Sequence, residues 1–273
     1  MEHINLHHLF HISLEAGNEI LKVYEQDFDV EYKDDSFPLT IADQRAHATI
    51  MKGLTALDPN IPVLSEEGRH VPYDERREWE RFWLVDPLDG TKEFIKKNGE
   101  FTVNIALIEG SYPSIGIIYA PVLDVFYFGR VGDAAYKLER ASEASITNED
   151  ELMNLSIKLS EFNERSVTRV VASRSHMTPE TEDFIDKLEA VHGQIEVVSS
   201  GSSLKFCLVA EGKADFYPRY APTKEWDTGA GQAIVEAAGG TVTRYEDNER
   251  FYYNRIDLVN GWFLVRSKQY PVQ

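Results

Sequence analysis

The sequence predicts an α/β protein in which an N-terminal lobe built on an antiparallel sheet precedes an α/β C-terminal lobe. Three observations carry that prediction. Four apolar runs at 101–108, 114–120, 125–129 and 134–138 are separated by short turns containing Gly, Pro or Asp, the pattern of an antiparallel meander. Beyond residue 168, strand-like and helix-like segments take turns, at 169–172, 179–191, 195–198, 203–210 and 214–217. Before both, Leu6, Leu9, Phe10, Leu14, Gly17, Ile20, Leu21 and Tyr24 recur at three- and four-residue spacing, which marks an amphipathic helix of structural purpose. The polar, acidic stretch 139–150 is expected to join the lobes, dividing a single domain of 273 residues at about residues 1–145 and 146–273.

Charge narrows the function. Lys and Arg number 28 against 46 Asp and Glu, a formal charge of −18, which argues against sustained binding to nucleic acid or an anionic membrane. An acidic protein that takes an anionic substrate needs a local source of positive charge, and bound metal supplies it without a basic surface. Cys207 is the single cysteine, so no intrachain disulfide forms and the chain suits a reducing, cytoplasmic setting. Its helical context offers no neighbouring base, which makes it a core residue. Residues 1–10 do not resemble a signal peptide, and no segment is apolar enough to span a bilayer. His3, His7 and His8 read as surface-facing helix residues, because hard carboxylates elsewhere make the better metal site.

Those carboxylates centre on Phe82-Trp83-Leu84-Val85-Asp86-Pro87-Leu88-Asp89-Gly90-Thr91-Lys92-Glu93-Phe94. Pro87 lacks an N–H and biases Asp86 away from helix, so a strand is expected to stop with Asp86 at its tip. Gly90 can turn the chain sharply, and Thr91 would then open a helix whose first N–H groups face a phosphate. Asp86, Asp89 and the Leu88 carbonyl are hard oxygen ligands suited to Mg²⁺. A good turn would favour the same residue types, and this stretch alone supports the two readings equally. Further acids fall at comparable places. Glu66 follows the apolar run 61–64, so it can share a sheet edge with Asp86. Asp43 lies in the first turn of a helix carrying Ala46, Ile50, Met51 and Leu54, where a cap is its simplest local role. Asp227 precedes a Gly/Ala-rich helix running to Ala238, as an N-cap or a metal ligand. Residues 69–81 read as an exposed, charged connection.

Taken in order, Ser65-Glu66-Glu67-Gly68, then the 83–94 stretch, then Trp226-Asp227 before a Gly/Ala helix resemble the inositol monophosphatase superfamily of metal-dependent, lithium-sensitive phosphatases. The resemblance covers nearly the whole chain. Residues 98–108 and Gly201-Ser202-Ser203-Leu204-Lys205-Phe206-Cys207 look most like its CysQ-type bacterial 3′(2′),5′-bisphosphate nucleotidase branch, which converts adenosine 3′,5′-bisphosphate to AMP. What the resemblance implies is a layered αβαβα sugar-phosphatase fold and two or more Mg²⁺ ions. It implies side-chain ligands in Glu66, Asp86, Asp89 and Asp227, and a carbonyl ligand in Leu88. Thr91 and Asp43 correspond to the pair that orients and deprotonates water. Gly90, Thr91, His176, Ser202, Lys205 and Arg219 correspond to the substrate-binding set. Peripheral attachment at the inner membrane is compatible with this branch, but the acidic charge gives it no support. Phe37, where Ser is usual, and Gly229, where Ala is common, depart from the family pattern without removing a ligand.

Overall fold

The computed structural model describes residues 4–25, 31–32, 38–39, 41–159, 167–172 and 177–271. His3, Phe37 and His176 lie outside these residues.

Asn5 accepts the His7 N–H and starts α1 (Leu6–Tyr24), whose buried stripe includes Leu6, Leu9, Phe10, Ala16 and Ile20. Strands β1 (Glu31–Tyr32) and β2 (Pro38–Leu39) pair antiparallel ahead of α2 (Ile41–Leu57), which packs along α1. Next come β3 (Val63–Ser65), the single turn α3 (Tyr73–Arg76), β4 (Arg81–Asp89) and the short α4 (Thr91–Ile95). The expected meander follows as β5 (Thr102–Glu109), β6 (Tyr112–Ala120), β7 (Val125–Arg130) and β8 (Ala135–Glu139). After a 3-10 turn at 141–143 and α5 (Glu149–Leu155), β9 (Ile157–Lys158) adds to β8. The chain therefore leaves this sheet after residue 158, beyond the 139–150 stretch. The sheet has seven strands in the order β3-β4-β5-β6-β7-β8-β9, antiparallel except for the β3/β4 pair.

The remaining chain supplies β10 (Thr168–Ala172), α6 (Pro179–His192), β11 (Ile195–Ser199), α7 (Leu204–Ala210) and β12 (Phe216–Arg219). A 3-10 turn at Glu225–Asp227 leads into α8 (Gly229–Ala237), followed by β13 (Thr241–Arg244) and β14 (Phe263–Arg266). The second sheet runs β11-β10-β12-β14-β13. Its first three strands are parallel, and β14 pairs antiparallel with both β12 and β13.

Contacts stack these elements into five layers: α1 and α2, the seven-stranded sheet, α7 and α8, the five-stranded sheet, and α6. This is the αβαβα arrangement. The core divides accordingly. One apolar cluster joins α1 and α2 to the outer face of the first sheet through Trp83, Val85, Ile105 and Phe126; another fills the space between the sheets through Leu84, Ala106, Phe206, Ile234 and Phe263. Alternate residues of β4 and β5 thus face opposite layers, as the period of a strand requires. In the middle layer, a Cβ added to Gly229 would lie 2.9 Å from Leu84 Cδ2 and 3.2 Å from Ala106 Cβ. The departure at this position is a packing feature: an Ala there would require the Leu84 methyl to turn away and Ala106 to give slightly.

Two expectations are corrected. First, β4 does not stop at Asp86; it runs through Pro87 to Asp89, with Asp86 opposite Asn104 and Asp89 opposite Thr102 across a register shift. Pro87 falls inside that irregularity, where it has no paired residue on β5, so its missing N–H breaks no ladder bond. Second, the 69–81 connection is anchored. Arg76 is 2 % exposed, with its guanidinium donating to Asn254 Oδ1 and the Ile256 carbonyl, both at 2.9 Å. His7 and His8 do sit towards the surface of α1, with ring centroids 3.9 Å apart, while His11 Nε2 lies 2.8 Å from the Ile146 carbonyl.

Candidate active site

Parallel pairing of β3 with β4 brings two strand ends to one edge. Ser65 lies opposite Val85, and the Glu66 N–H continues the ladder to the Val85 carbonyl at 3.1 Å, which sets Glu66 beside Asp86. Asp86 Oδ1 accepts the Leu88 N–H at 3.0 Å and closes a small turn within the irregular part of β4. Gly90 then adopts φ +95°, a left-handed conformation that side-chain-bearing residues rarely take, and α4 begins at Thr91 as expected. Asp43 is 5 % exposed in the first turn of α2, and its charge acts on both Glu66 and Asp86.

The opposite wall comes from the 200–203 loop and the 3-10 turn before α8. Asp227 is not the N-cap of α8; Thr228 holds that position, and Asp227 Oδ2 accepts the Lys224 N–H at 2.8 Å. The turn is fixed from behind by the wholly buried Glu225, whose carboxylate accepts the N–H groups of Asn254 and Arg255 and pairs with Arg255 Nε at 3.0 Å. One carboxylate oxygen each from Glu66, Asp86 and Asp227 lie within 4.8 Å of one another. Asp89 stands outside that tightest group, but its charge acts on all three.

Such crowding is unfavourable without a cation. Although its side chain reaches the surface, Glu66 is crowded enough by protein that lost hydration, then the charges of Asp227 and Asp43, push it up to about 8. Burial and then Asp89 push Asp227 up to about 7. Burial and then Glu66 raise Asp86 well above the usual carboxylate range. Three oxygen donors that repel one another at this distance could hold a hard cation, and an ion of charge +2 would offset both their lost hydration and their mutual repulsion.

The cleft above these carboxylates encloses about 470 Å³. Asp86, Leu88, Asp89, Gly90 and Thr91 line one side; Ser202, Lys205, Arg219 and Asp227 line the other. Lys205 is buried in the first turn of α7. It is 7 % exposed, its Nζ donates to the Ser202 carbonyl at 2.6 Å and lies 3.4 Å from the Ser200 carbonyl, and burial lowers it to about 8. Ser202 has φ +43°, and its Oγ is buried without a hydrogen-bond partner among the described residues. Arg219 donates to the Pro222 carbonyl at 3.3 Å, and its Nε is likewise buried without a partner. Cys207 is buried, and burial raises its thiol pKa, in keeping with a core role.

Sequence reasoning missed the residues that hold the two walls together. Ser203 Oγ lies 2.7 Å from Asp89 Oδ2, 2.9 Å from the Asp227 carbonyl and 2.8 Å from Asn104 Nδ2. The Gly201 N–H donates to Glu100 Oε2 at 2.8 Å. No local motif announces either contact, because the partners are about a hundred residues apart.

The Inositol monophosphatase family model matches residues 6–265. The chain belongs to the inositol monophosphatase family. Among curated members, the 3′(2′),5′-bisphosphate nucleotidase CysQ of Salmonella typhimurium is 46% identical over 252 residues, 92% of this chain and 94% of that protein. The protein of the same name from Escherichia coli (strain K12) is 45% identical over the same length and shares. Among solved structures of the family, CysQ from Bacteroides thetaiotaomicron superposes with a TM-score of 0.88 at 47% identity, covering 97% of this chain and 98% of its own. Members of this family are metal-dependent phosphatases, and no described helix is long and apolar enough to cross a membrane.

Proposed function

We propose that the chain is a Mg²⁺-dependent phosphatase that removes the 3′-phosphate of adenosine 3′,5′-bisphosphate to give AMP and phosphate. The observation that carries the reading is the convergence of Glu66, Asp86 and Asp227 from both walls on one point at the base of the cleft. It is supported by the nucleotidase relatives, which are similar over nearly the whole chain. In this reading one domain works with two lobes, about 1–145 and 146–273, in which α5 and β9 complete the layers of the first and the second contributes nucleotide contacts and one metal ligand.

Glu66, Asp86, Asp89, Asp227 and the Leu88 carbonyl would hold two or more Mg²⁺ ions. The bound ions would neutralise phosphoryl charge and favour ionisation of water. The chain's own groups do the rest. Water attacks phosphorus in line with the departing 3′-oxygen; the new O–P bond forms as the ester O–P bond breaks, and the 3′-oxygen leaves as the AMP hydroxyl after gaining a proton. Thr91 orients the water, and the Asp43 carboxylate, the stronger base of the pair, receives its proton. Gly90 and Thr91 face the transferred phosphate. Ser202, Lys205, Arg219 and His176 recognise the nucleotide and its 5′-phosphate, with Lys205 and Arg219 supplying charge on that wall. The protein acts as a cytoplasmic enzyme on a small molecule.

Phosphate release by the purified protein tests the reading, with adenosine 3′,5′-bisphosphate and inositol 1-phosphate compared in Mg²⁺, with and without Li⁺ and after chelation. A strong preference for the nucleotide, suppressed by Li⁺ and by chelation, is expected. Preference for the inositol ester would keep the carboxylate roles and overturn those of Ser202, Lys205 and Arg219. Chelator-resistant turnover would overturn the metal assignment.

A further inference from the structure

Thr102, Asn104 and Ser203 are 0 %, 1 % and 2 % exposed and form a line of hydrogen bonds ending on Asp89. The direction of that line follows from donor and acceptor chemistry. Thr102 Oγ1 donates to Asn104 Oδ1 at 3.0 Å, which orients the amide with Nδ2 towards Ser203. The amide can only donate from Nδ2, so Ser203 Oγ accepts at 2.8 Å. Its own proton is then free for an acceptor, either Asp89 Oδ2 at 2.7 Å or the Asp227 carbonyl at 2.9 Å. The carboxylate is the shorter contact and, when ionised, the stronger acceptor. Asn104 Nδ2 also lies 3.4 Å from Asp89 Oδ2. Two donors of this line, the Ser203 hydroxyl and the Asn104 amide, therefore converge on one oxygen of Asp89. Its other oxygen carries no hydrogen bond among the described residues.

We infer that Ser203, oriented by Asn104 and Thr102, is a positioning residue that fixes the Asp89 carboxylate against the Asp227 turn and thereby sets the cation affinity of a site split between two walls. The inference rests on the metal role proposed above for Asp89 and Asp227. Physically, Ser203 belongs to the loop before α7, Asp89 to β4, and the Asp227 carbonyl to the turn before α8, so one hydroxyl ties its own loop to a segment from each wall. Losing it would leave Asp89 held only by the longer Asn104 contact and would cost the buried Asn104 amide its nearer acceptor, and both effects weaken a preorganised site.

Calorimetric Mg²⁺ titration of the purified full chain without substrate, together with thermal melts, tests the inference. Removing an outer hydrogen-bond partner of a metal ligand typically costs about 10- to 100-fold in affinity, so Ser203→Ala is expected to weaken Mg²⁺ binding by about tenfold or more. Thr102→Val removes only the hydroxyl that orients Asn104 and should give a smaller loss. Ser203→Thr, which keeps the hydroxyl, should bind close to the parent. Ser203→Ala with a lowered metal-free Tm but an unchanged Mg²⁺ Kd would show a purely structural role and overturn the inference. Should Ser203→Ala fail to fold, unchanged Kd in Thr102→Val would do the same. No Mg²⁺ binding by the parent would overturn the metal reading itself, whereas the Ser203 result stands whichever phosphate ester the enzyme prefers.

Discussion

The two walls of the cleft are built on different principles. On one, Glu66 follows the end of β3 and Asp86 lies beside it where β4 becomes irregular, so ladder register fixes their separation before any side chain is considered. On the other, Ser202 has a positive φ, the loop carbonyls are gathered by the buried Lys205 ammonium, and Asp227 rides on a 3-10 turn braced by Glu225. Backbone pairing makes the first wall; buried polar side chains make the second. Chemistry that demands exact placement of charge is thus shared between a rigid sheet edge and a wall that depends on a few individual hydrogen bonds.

The largest effect should come from the first wall. Asp86→Asn removes a proposed ligand without changing shape, and losing several kcal/mol of charge stabilisation should lower kcat by roughly 10³-fold, with the fold intact by circular dichroism. On the second wall, Lys205→Ala leaves the Ser200 and Ser202 carbonyls without their cation. Charge-assisted hydrogen bonds of this kind contribute about 1.5–3 kcal/mol, so kcat/KM for adenosine 3′,5′-bisphosphate should fall roughly 10- to 100-fold. Inositol 1-phosphate turnover should change far less; an equal loss on both esters would count against a nucleotide-recognising wall. A subtler break is Gly201→Ala, whose Cβ would meet the Glu100 carbonyl at 2.9 Å and Glu93 Cγ at 2.8 Å. It should push the loop off the first wall and raise KM by about tenfold, since small misplacements of positioning groups are costly.

A separate effect is on stability. Glu66 and Asp227 titrate near 8 and 7 in the folded protein, against reference values of 4.5 and 3.8, and Asp86 is also raised. Between about pH 4 and pH 8 the native state therefore holds protons that the unfolded chain has released, so stability falls as pH rises through that window. Metal-free protein should show a falling Tm from about pH 5 to pH 8, and Mg²⁺ should raise Tm most at the upper end, where the carboxylates are ionised. A metal-free Tm that rose across the same window would contradict the proposed crowding of charge.

What the sequence made legible follows the same division. Glu66, Asp86 and Gly90 could be read locally, because acids after an apolar run and a glycine at a tight turn are statements about neighbours in the chain. The meander was legible for the same reason, since each of its strands pairs with the next. Ser203 and Asn104 were not, because their meaning lies in partners 114 and 99 residues away. Arg76 looked like part of a charged surface loop until its partners at 254 and 256 appeared. Strands β13 and β14 each have only four residues and are defined by pairing with each other and with β12, so neither stood out. The proline argument at Asp86 failed for an instructive reason: Pro87 forbids a ladder bond only where the register needs one, and the irregularity between Asp86 and Asp89 removes that need.

The central claim is that carboxylates from both walls serve one metal centre. Mg²⁺ titration of the parent protein, Asp86→Asn and Asp227→Asn tests it most directly, each substitution removing a ligand from a different wall. Loss of Mg²⁺ affinity in both variants, with the folds intact, is the predicted result. An Asp227→Asn protein that bound Mg²⁺ as tightly and in the same number as the parent would contradict the shared centre and confine the metal to the sheet edge.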